Sequence, residues 1–389
     1  MKKTLLYASP FQPMRSGISD YSEILIYGLR EFFDITLLID NYKLENKQLY
    51  KDFKVKIYKK DKIDFKFFDF KIYNIGNQPD YHSYIYECAL HYPGMIILHD
   101  FILYYLVVGY YINKSNFYSK IYEIGGPKAL SLIKEPMKNS KNPLLYKEIA
   151  PLLPLNIELL KSDNFFMVHS KYTLKRIMEE VKDKKGVVKI NHIELTKNIE
   201  IIEKKKLFDQ YCIDKDTFLL CSFGYIDPSK SNDIVCEVVR KINNKSDKKI
   251  TYLMVGEGDY IDKYLEKYIK KTGFVDIATF NSFIHHCNLV INLRENCMGE
   301  TSGAVIRAMG LGKPCIISDL GWFSELPDYA VIKISNTNCK EELYKRIEIL
   351  IKDHKIMETM SKKAKSYIKN NYSASKVCKA IYDFLNITK

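Results

Sequence analysis

Three residues, Glu300, Lys230 and His99, stand where a chain of this pattern could do chemistry on an anion that also carries hydroxyl groups. The stretch from Met298 to Pro327 reads MGETSGAVIRAMGLGKPCIISDLGWFSELP. Its polar turn, Gly299-Glu300-Thr301-Ser302-Gly303, follows an apolar strand over Leu289 to Leu293 and precedes a helix with Val305, Ile306, Met309 and Leu311 apolar. Strand, polar turn, helix is where open α/β sheets bind ligands. The first amides of such a helix have no partners within it and bind anions such as a diphosphate. Glu300 beside that site would repel a phosphate, so its carboxylate is suited to accept hydrogen bonds from hydroxyls. An anion site next to a hydroxyl site points to a nucleotide sugar. A plain helix cap and tight turn is the competing reading.

Other strand ends carry compatible residues. Arg15-Ser16-Gly17-Ile18 lies between the first strand and the first helix, where Gly17 permits close backbone approach and the helix start supplies amides. His99 closes an apolar strand and can bond a sugar hydroxyl or move a proton, or simply be a packed histidine. Asp100 after it reads as a cap for the next helix. In Phe223-Gly224-Tyr225-Ile226-Asp227-Pro228-Ser229-Lys230 a strand ends at Gly224 and a lysine stands at the next helix start. A cation there, with helix amides, would neutralise a departing diphosphate. Val255-Gly256-Glu257-Gly258 and Thr272-Gly273-Phe274-Val275 are glycine turns that could frame a base, or be ordinary turns. The GxGxxG fingerprint of dinucleotide-binding folds is missing after the first strand. Two patterns imitate metal sites. Asp214-Lys215-Asp216 precedes a strand, on the wrong end of a sheet for ligands, and reads as a turn. His285 and His286 are adjacent and do not share a helix face.

The elements that must hold these residues alternate. Strands are expected at 4–7, 35–39, 71–75, 95–98 and 165–168, then at 218–223, 250–255, 289–293, 314–318 and 331–334. A long helical region is expected over about 101–162, and a charged junction at 184–203. The expected fold class is α/β: two doubly wound domains facing a cleft. The 389 residues and 47% hydrophobic content suffice for two cores. The run Phe101 to Ile112 is shorter than the ~20 residues of a membrane-spanning helix, and the N-terminus reads as a strand, not a signal peptide. Nine cysteines without CxxC spacing fit reduced thiols and a cytoplasmic location. The net charge is +13, and Lys43 to Lys71 carries ten lysines against five acids, interleaved with Tyr50, Phe53, Phe65, Phe67 and Phe68. An anionic membrane surface is a candidate partner for that stretch, with a solvated loop as the alternative. No nucleic-acid-binding pattern is present, so no nucleic acid partner is expected.

The segments SGISDYS, GNQPDYHSYIYECALHYPGMIILHD, VHSKYT, FGYIDPSK, TGFVD and LRENCMGETSGAVIRAMGLGKPCIISDLGWFSELP, spread in order over nearly the whole chain, resemble glycosyltransferase family four. The last is the most specific, and the likeness is closest to bacterial polysaccharide-assembly members of a GETSG type. The resemblance implies a GT-B fold of two Rossmann-like domains. Residues 1–195 would bind the acceptor and 196–370 the nucleotide sugar, with a C-terminal helix, 371–389, packing back on the first domain. It implies retention of anomeric configuration, no metal or other cofactor, and a nucleotide-sugar donor with a glycan or lipid-linked acceptor. It assigns Gly17 to the donor diphosphate, His99 to the transferred sugar, Lys230 to the diphosphate and Glu300 to sugar hydroxyls. Thr301, Ser302 and Gly303 would surround Glu300, and Ser16, Gly224, Tyr225, Gly256 and Phe274 complete the donor-binding set. The chain departs from the family at two positions. Ala308 stands where a second glutamate often grips the ribose, and Tyr225 where an arginine often helps hold phosphate; Arg294 is the candidate replacement charge. On resemblance alone, mannose from a guanosine diphosphate donor is favoured. A nucleotide-sugar epimerase and an inactive nucleotide-sugar-binding subunit are the rival readings.

Overall fold

Alternating apolar strands and amphipathic helices build two parallel sheets in the computed structural model, which describes residues 2–138, 142–196, 199–246 and 249–388. The first sheet contains β1 (Lys3–Ala8), β2 (Phe33–Ile39), β3 (Lys54–Ile57), β4 (Phe70–Ile75), β5 (Met95–Leu98), β6 (Phe165–Val168) and β7 (Val187–Lys189). Their order is β3-β2-β1-β4-β5-β6-β7. The second contains β8 (Phe218–Phe223), β9 (Ile250–Val255), β10 (Ile269–Lys271), β11 (Leu289–Asn292), β12 (Cys315–Ser318) and β13 (Ile332–Ile334), ordered β10-β9-β8-β11-β12-β13. Both faces of a parallel sheet are covered by helices, so central strands read as apolar runs rather than alternations. All six residues of β8 and of β9 are buried accordingly. In each sheet the order reverses once, between β1 and β4 and between β8 and β11, and ligands of doubly wound sheets bind at such switch points.

Three strands were not expected: β3, β7 and β10. Each is three or four residues long, lies at a sheet edge and is only partly buried except for Ile269. Lysines on short edge strands suit a solvent-facing edge and erase the apolar signal. The region expected to be one long helical stretch is broken instead. Helices run over Tyr104–Tyr111 and Phe117–Lys138, and the second is kinked at Gly126, with φ +71°, followed by Pro127. A positive φ and a proline without an amide proton interrupt any helix.

Packing divides the chain into two units. One comprises the residues up to Ile193, Met298–Thr301 and those from Ala374; the other comprises Glu194–Cys297 and Ser302–Ser373. The division runs through the GETSG turn, so Met298–Thr301, with Glu300, packs with the first unit although the segments before and after it belong to the second. Boundaries drawn from the sequence at 195/196 and 370/371 contain no such crossing. In the first unit the helix Ala374–Ile387 lies on the helix Gly17–Leu29. A Cβ on Gly28 would come within 2.5 Å of Cys378 Sγ, so this crossing needs a glycine. Val377, Cys378, Ile381 and Leu385 form its buried face, and Tyr382 stacks on Phe32 at 4.9 Å.

Candidate active site

In the first unit the candidate residues gather at the C-terminal ends of β1, β4, β5 and β6. Ser16 caps the helix Gly17–Leu29, its hydroxyl accepting the Ile18 N–H at 3.2 Å. Nothing lies within 4 Å of where a Gly17 Cβ would stand, so the helix start is open. His99 ends β5, and its Nε2–H donates to Asn74 Oδ1 at 3.1 Å. Asn74 Nδ2 points to the Ala8 carbonyl, at 3.4 Å, which orients the amide. His99 Nδ1 is therefore the lone-pair nitrogen, an acceptor for a hydroxyl.

Around Tyr21 stand three imidazoles: His99 at 5.0 Å, His169 at 5.4 Å and His192 at 4.7 Å between ring centroids. Tyr21, His169 and His192 are all buried. His169 Nδ1–H donates to the Ile190 carbonyl at 3.0 Å. Its Nε2 and the Tyr21 hydroxyl are buried without a hydrogen-bond partner. Burial pushes His169 down to about 4, and burial together with His169 and His192 holds His99 well below the usual histidine range. His99 and His169 are thus neutral at physiological pH. Sequence reasoning found His99 but not its surroundings, since Tyr21, His169 and His192 come from separate segments of the chain.

The GETSG turn completes this side. Gly299 has φ +84°, and a Cβ there would stand 2.3 Å from Phe101 Cβ, so only glycine fits. Phe101 N–H and Ile102 N–H both donate to the Met298 carbonyl at 2.9 Å. Thr173 Oγ1–H donates to the Gly299 carbonyl at 2.9 Å. Glu300 Oε2 accepts the Met298 N–H at 2.8 Å, and Glu300 and Thr301 remain partly exposed. Asp100 does not cap the following helix: that helix starts at Tyr104 without a side-chain cap, and Asp100 Oδ2 accepts the Asn77 N–H at 3.0 Å instead.

In the second unit the candidate residues occupy the ends of β8 to β11. Gly224 follows β8 with φ +88° and a Cβ position 3.0 Å from Lys230 Nζ. Lys230 closes a short turn, Pro228–Lys230, that Asp227 caps, and its ammonium donates to the Phe223 carbonyl at 3.2 Å. The ammonium is therefore folded back over the end of β8, at the switch point. Gly256 approaches so closely that a Cβ would stand 2.1 Å from the Gly224 carbonyl oxygen. The turns after β8 and β9 are thus packed backbone to backbone, joined by Gly224 N–H to Val255 O at 3.0 Å. Tyr225 and Phe274 expose their rings by 59% and 51%, unusual for large aromatics and apt for stacking on a planar ring. Arg294 follows β11, its N–H held by Ser318 Oγ at 2.8 Å and its guanidinium 5.6 Å from the Phe323 ring. Ser302 caps the helix Gly303–Gly310 by accepting the Val305 N–H at 3.3 Å, and Gly303 is its first residue.

Ala308 is fully buried in the core of the second unit. Arg307 beside it is buried too, donating to the Leu195 carbonyl at 2.7 Å. A carboxylate at 308 would be placed among apolar side chains, out of solvent. Asp214 to Asp216 form a turn closed by Asp216 N–H to Asp214 Oδ1 at 2.9 Å, before the N-terminal end of β8. His286 Nε2–H donates to the Ile202 carbonyl at 2.8 Å. Among the described residues no group of three or more His, Cys, Asp or Glu side chains is arranged to hold a metal.

Residues 217–353 match the family model described as glycosyl transferases group 1. No curated protein sequence matches the chain. Solved structures match it over its whole length. HepE of Anabaena, in complex with UDP and glucose, has a TM-score of 0.66 at 13% identity, with 99% of each chain covered. Sucrose-phosphate synthase from Thermosynechococcus elongatus has a TM-score of 0.65 at 12% identity, with 100% of each covered. A glycosyltransferase from Rickettsia africae has a TM-score of 0.61 at 14% identity, covering 100% of this chain and 99% of that one. The fold is therefore the GT-B fold, two parallel sheets of seven and six strands with their helices, and the glycosyl transferases group 1 match falls on the second of them.

Proposed function

We propose that this chain is a retaining glycosyltransferase, moving a hexose or deoxyhexose from a nucleoside-diphosphate sugar to a glycan or lipid-linked acceptor in bacterial surface polysaccharide assembly. The observation that carries the reading is the array at the end of β8. There Lys230 folds its ammonium beside Gly224 at a switch point, within the stretch matched by glycosyl transferases group 1. HepE, of the same fold, binds UDP and glucose, which supports a nucleotide sugar as donor.

In the reaction the bond from the anomeric carbon to the diphosphate breaks, and one to an acceptor hydroxyl forms. The diphosphate leaves with its negative charge. Lys230, Arg294 and the amides at the helix starts of Gly17 and Gly303 would offset that charge, as preorganised donors do in transition states. On this account turnover is proposed to need no divalent metal. Glu300 and the lone pair of His99 Nδ1 would accept hydrogen bonds from sugar hydroxyls. The exposed rings of Tyr225 and Phe274 would border the base. Mannose is the first sugar to test, and the cytoplasmic face of the membrane the proposed place of action. Among the described residues no helix is long and apolar enough to cross a membrane.

The test is a panel of donors that includes GDP-mannose and UDP-glucose, incubated with EDTA and glycan acceptors, with proton NMR of the product. Transfer with the donor's anomeric configuration kept is the expected result. An inverted product would overturn retention, product only after metal is restored would overturn the charge argument, and sugar interconversion without transfer would favour an epimerase.

A further inference from the structure

Asp100 and Glu300 are two hundred residues apart in sequence, yet each stands one residue from a direct contact between their segments. Gly299, before Glu300, is packed so tightly on Phe101, after Asp100, that a Cβ on it would lie 2.9 Å from the Phe101 nitrogen. The Met298 carbonyl accepts both Phe101 N–H and Ile102 N–H, and Thr173 anchors Gly299 from the helix Lys171–Glu180. Each carboxyl is also oriented by one backbone amide: Asn77 N–H for Asp100 and Met298 N–H for Glu300. The two acids are thus fixed near one another by bonds that neither makes with the other.

We propose that Asp100 is a positioning residue for the donor sugar: its carboxyl stands beside the segment that carries Glu300, and an uncharged Asp100 keeps the GETSG turn seated. This rests on the reading of Glu300 as the acceptor of sugar hydroxyls. Two neighbouring carboxyls in a poorly hydrated place do not ionise independently. Burial, and then the charge of Glu300, push Asp100 up to about 7. His82 on the helix Pro79–His91 is buried and held down to about 4, and His99 before Asp100 is held low as well. Arg176 on the helix Lys171–Glu180 lies over the Phe101 ring at 4.7 Å and pairs with Glu179. Below neutrality Asp100 is therefore a neutral acid. Above it Asp100 is charged, and its repulsion acts on the turn that Glu300 must present to the sugar.

The experiment has two arms. The first needs no substrate: melting of the wild type, Asp100→Asn and Glu300→Gln between about pH 5 and pH 8. A carboxyl that keeps its proton in the fold but not in the unfolded chain makes the fold lose stability as pH rises toward 7. The melting temperature of Asp100→Asn relative to wild type should therefore climb across this range. In Glu300→Gln the pH step due to Asp100 should move to lower pH. An Asp100→Asn difference that is the same at every pH, or a step that Glu300→Gln leaves in place, would overturn the pair. The second arm follows donor KM and kcat against pH with whichever of GDP-mannose or UDP-glucose is turned over. Wild-type KM should rise above about pH 7, by up to about tenfold per pH unit, while the Asp100→Asn KM stays flat. The same rise in both enzymes, or a loss of kcat equal at all pH, would overturn the positioning role. If no donor is turned over, the glycosyltransferase reading fails while the melting arm still decides the pair.

Discussion

In the proposed function Lys230 serves the diphosphate and Glu300 the sugar hydroxyls, and single substitutions should separate the two roles. Lys230→Ala removes a cation suited to a diphosphate, and a hydrogen bond to a charged group contributes about 1.5–3 kcal/mol. Nucleoside-diphosphate affinity measured by calorimetry should fall by roughly ten- to a hundredfold, with little change in melting, because Lys230 lies in a turn with no buried residue at the rim of β8. Glu300→Gln should leave affinity for the free diphosphate nearly intact and lower kcat/KM for the intact donor. Equal losses for both ligands in either variant would dissolve the division. These residues were legible in the sequence because a strand end, a glycine and a polar side chain are contiguous there. Asp100 was read only as a cap. Its partner is two hundred residues away, and no local pattern records that distance. The same holds for Tyr21, His169 and His192, which meet only once the sheet has formed.

At the scale of elements, ten of the thirteen strands among the described residues were legible, the central ones through unbroken apolar runs such as FLLCSF and ITYLMV. The edge strands β3, β7 and β10 did not, since a lysine-rich edge differs little from a loop in composition. The elements β4, β5 and β6 also carry a pH liability into the first unit. His82 and His169, at or near their ends, are each held down to about 4 by burial. The unfolded chain takes up protons near pH 6.5, and the fold does not until about 4. Each histidine therefore lowers stability as pH falls through that window, while Asp100 acts in the opposite sense. With His82, His169 and His99 acting against Asp100 and Glu23, the melting temperature should fall as pH drops from about 6.5 to 4, and fall more steeply in Asp100→Asn. A flat profile over this window in both proteins would show that the imidazoles are better hydrated than their packing implies.

Across the whole molecule, the basic stretch from Lys43 to Lys71 has been partly absorbed by folding. Phe53 and Phe65 are buried, the latter stacked on Tyr92 at 3.8 Å, and Tyr50 and Phe67 remain exposed with the lysines. Binding to anionic vesicles at low salt, falling as salt screens charge beyond ~8–10 Å, is the expected behaviour. No co-sedimentation at low salt would leave this face as a solvated sheet edge.

The helix Ala374–Ile387 bears on a different matter, the order in which the protein can be made. A ribosome completes the first seven strands by residue 189, but the covering of the helix Gly17–Leu29 is not synthesised until the whole second unit has been. Until then the nascent first unit exposes the apolar face that Val377, Ile381 and Leu385 will cover. Burying three such side chains contributes about 4–9 kcal/mol, comparable with the entire stability of an ordinary domain, about 5–15 kcal/mol. Deleting residues 374–389 should therefore lower soluble yield and make the first unit susceptible to proteases while the second keeps its own resistant fragment. A truncated chain that melts like the full one would refute this. The early sheet must wait for the late helix, so the holding of exposed nascent chain by chaperones becomes part of how this fold is reached.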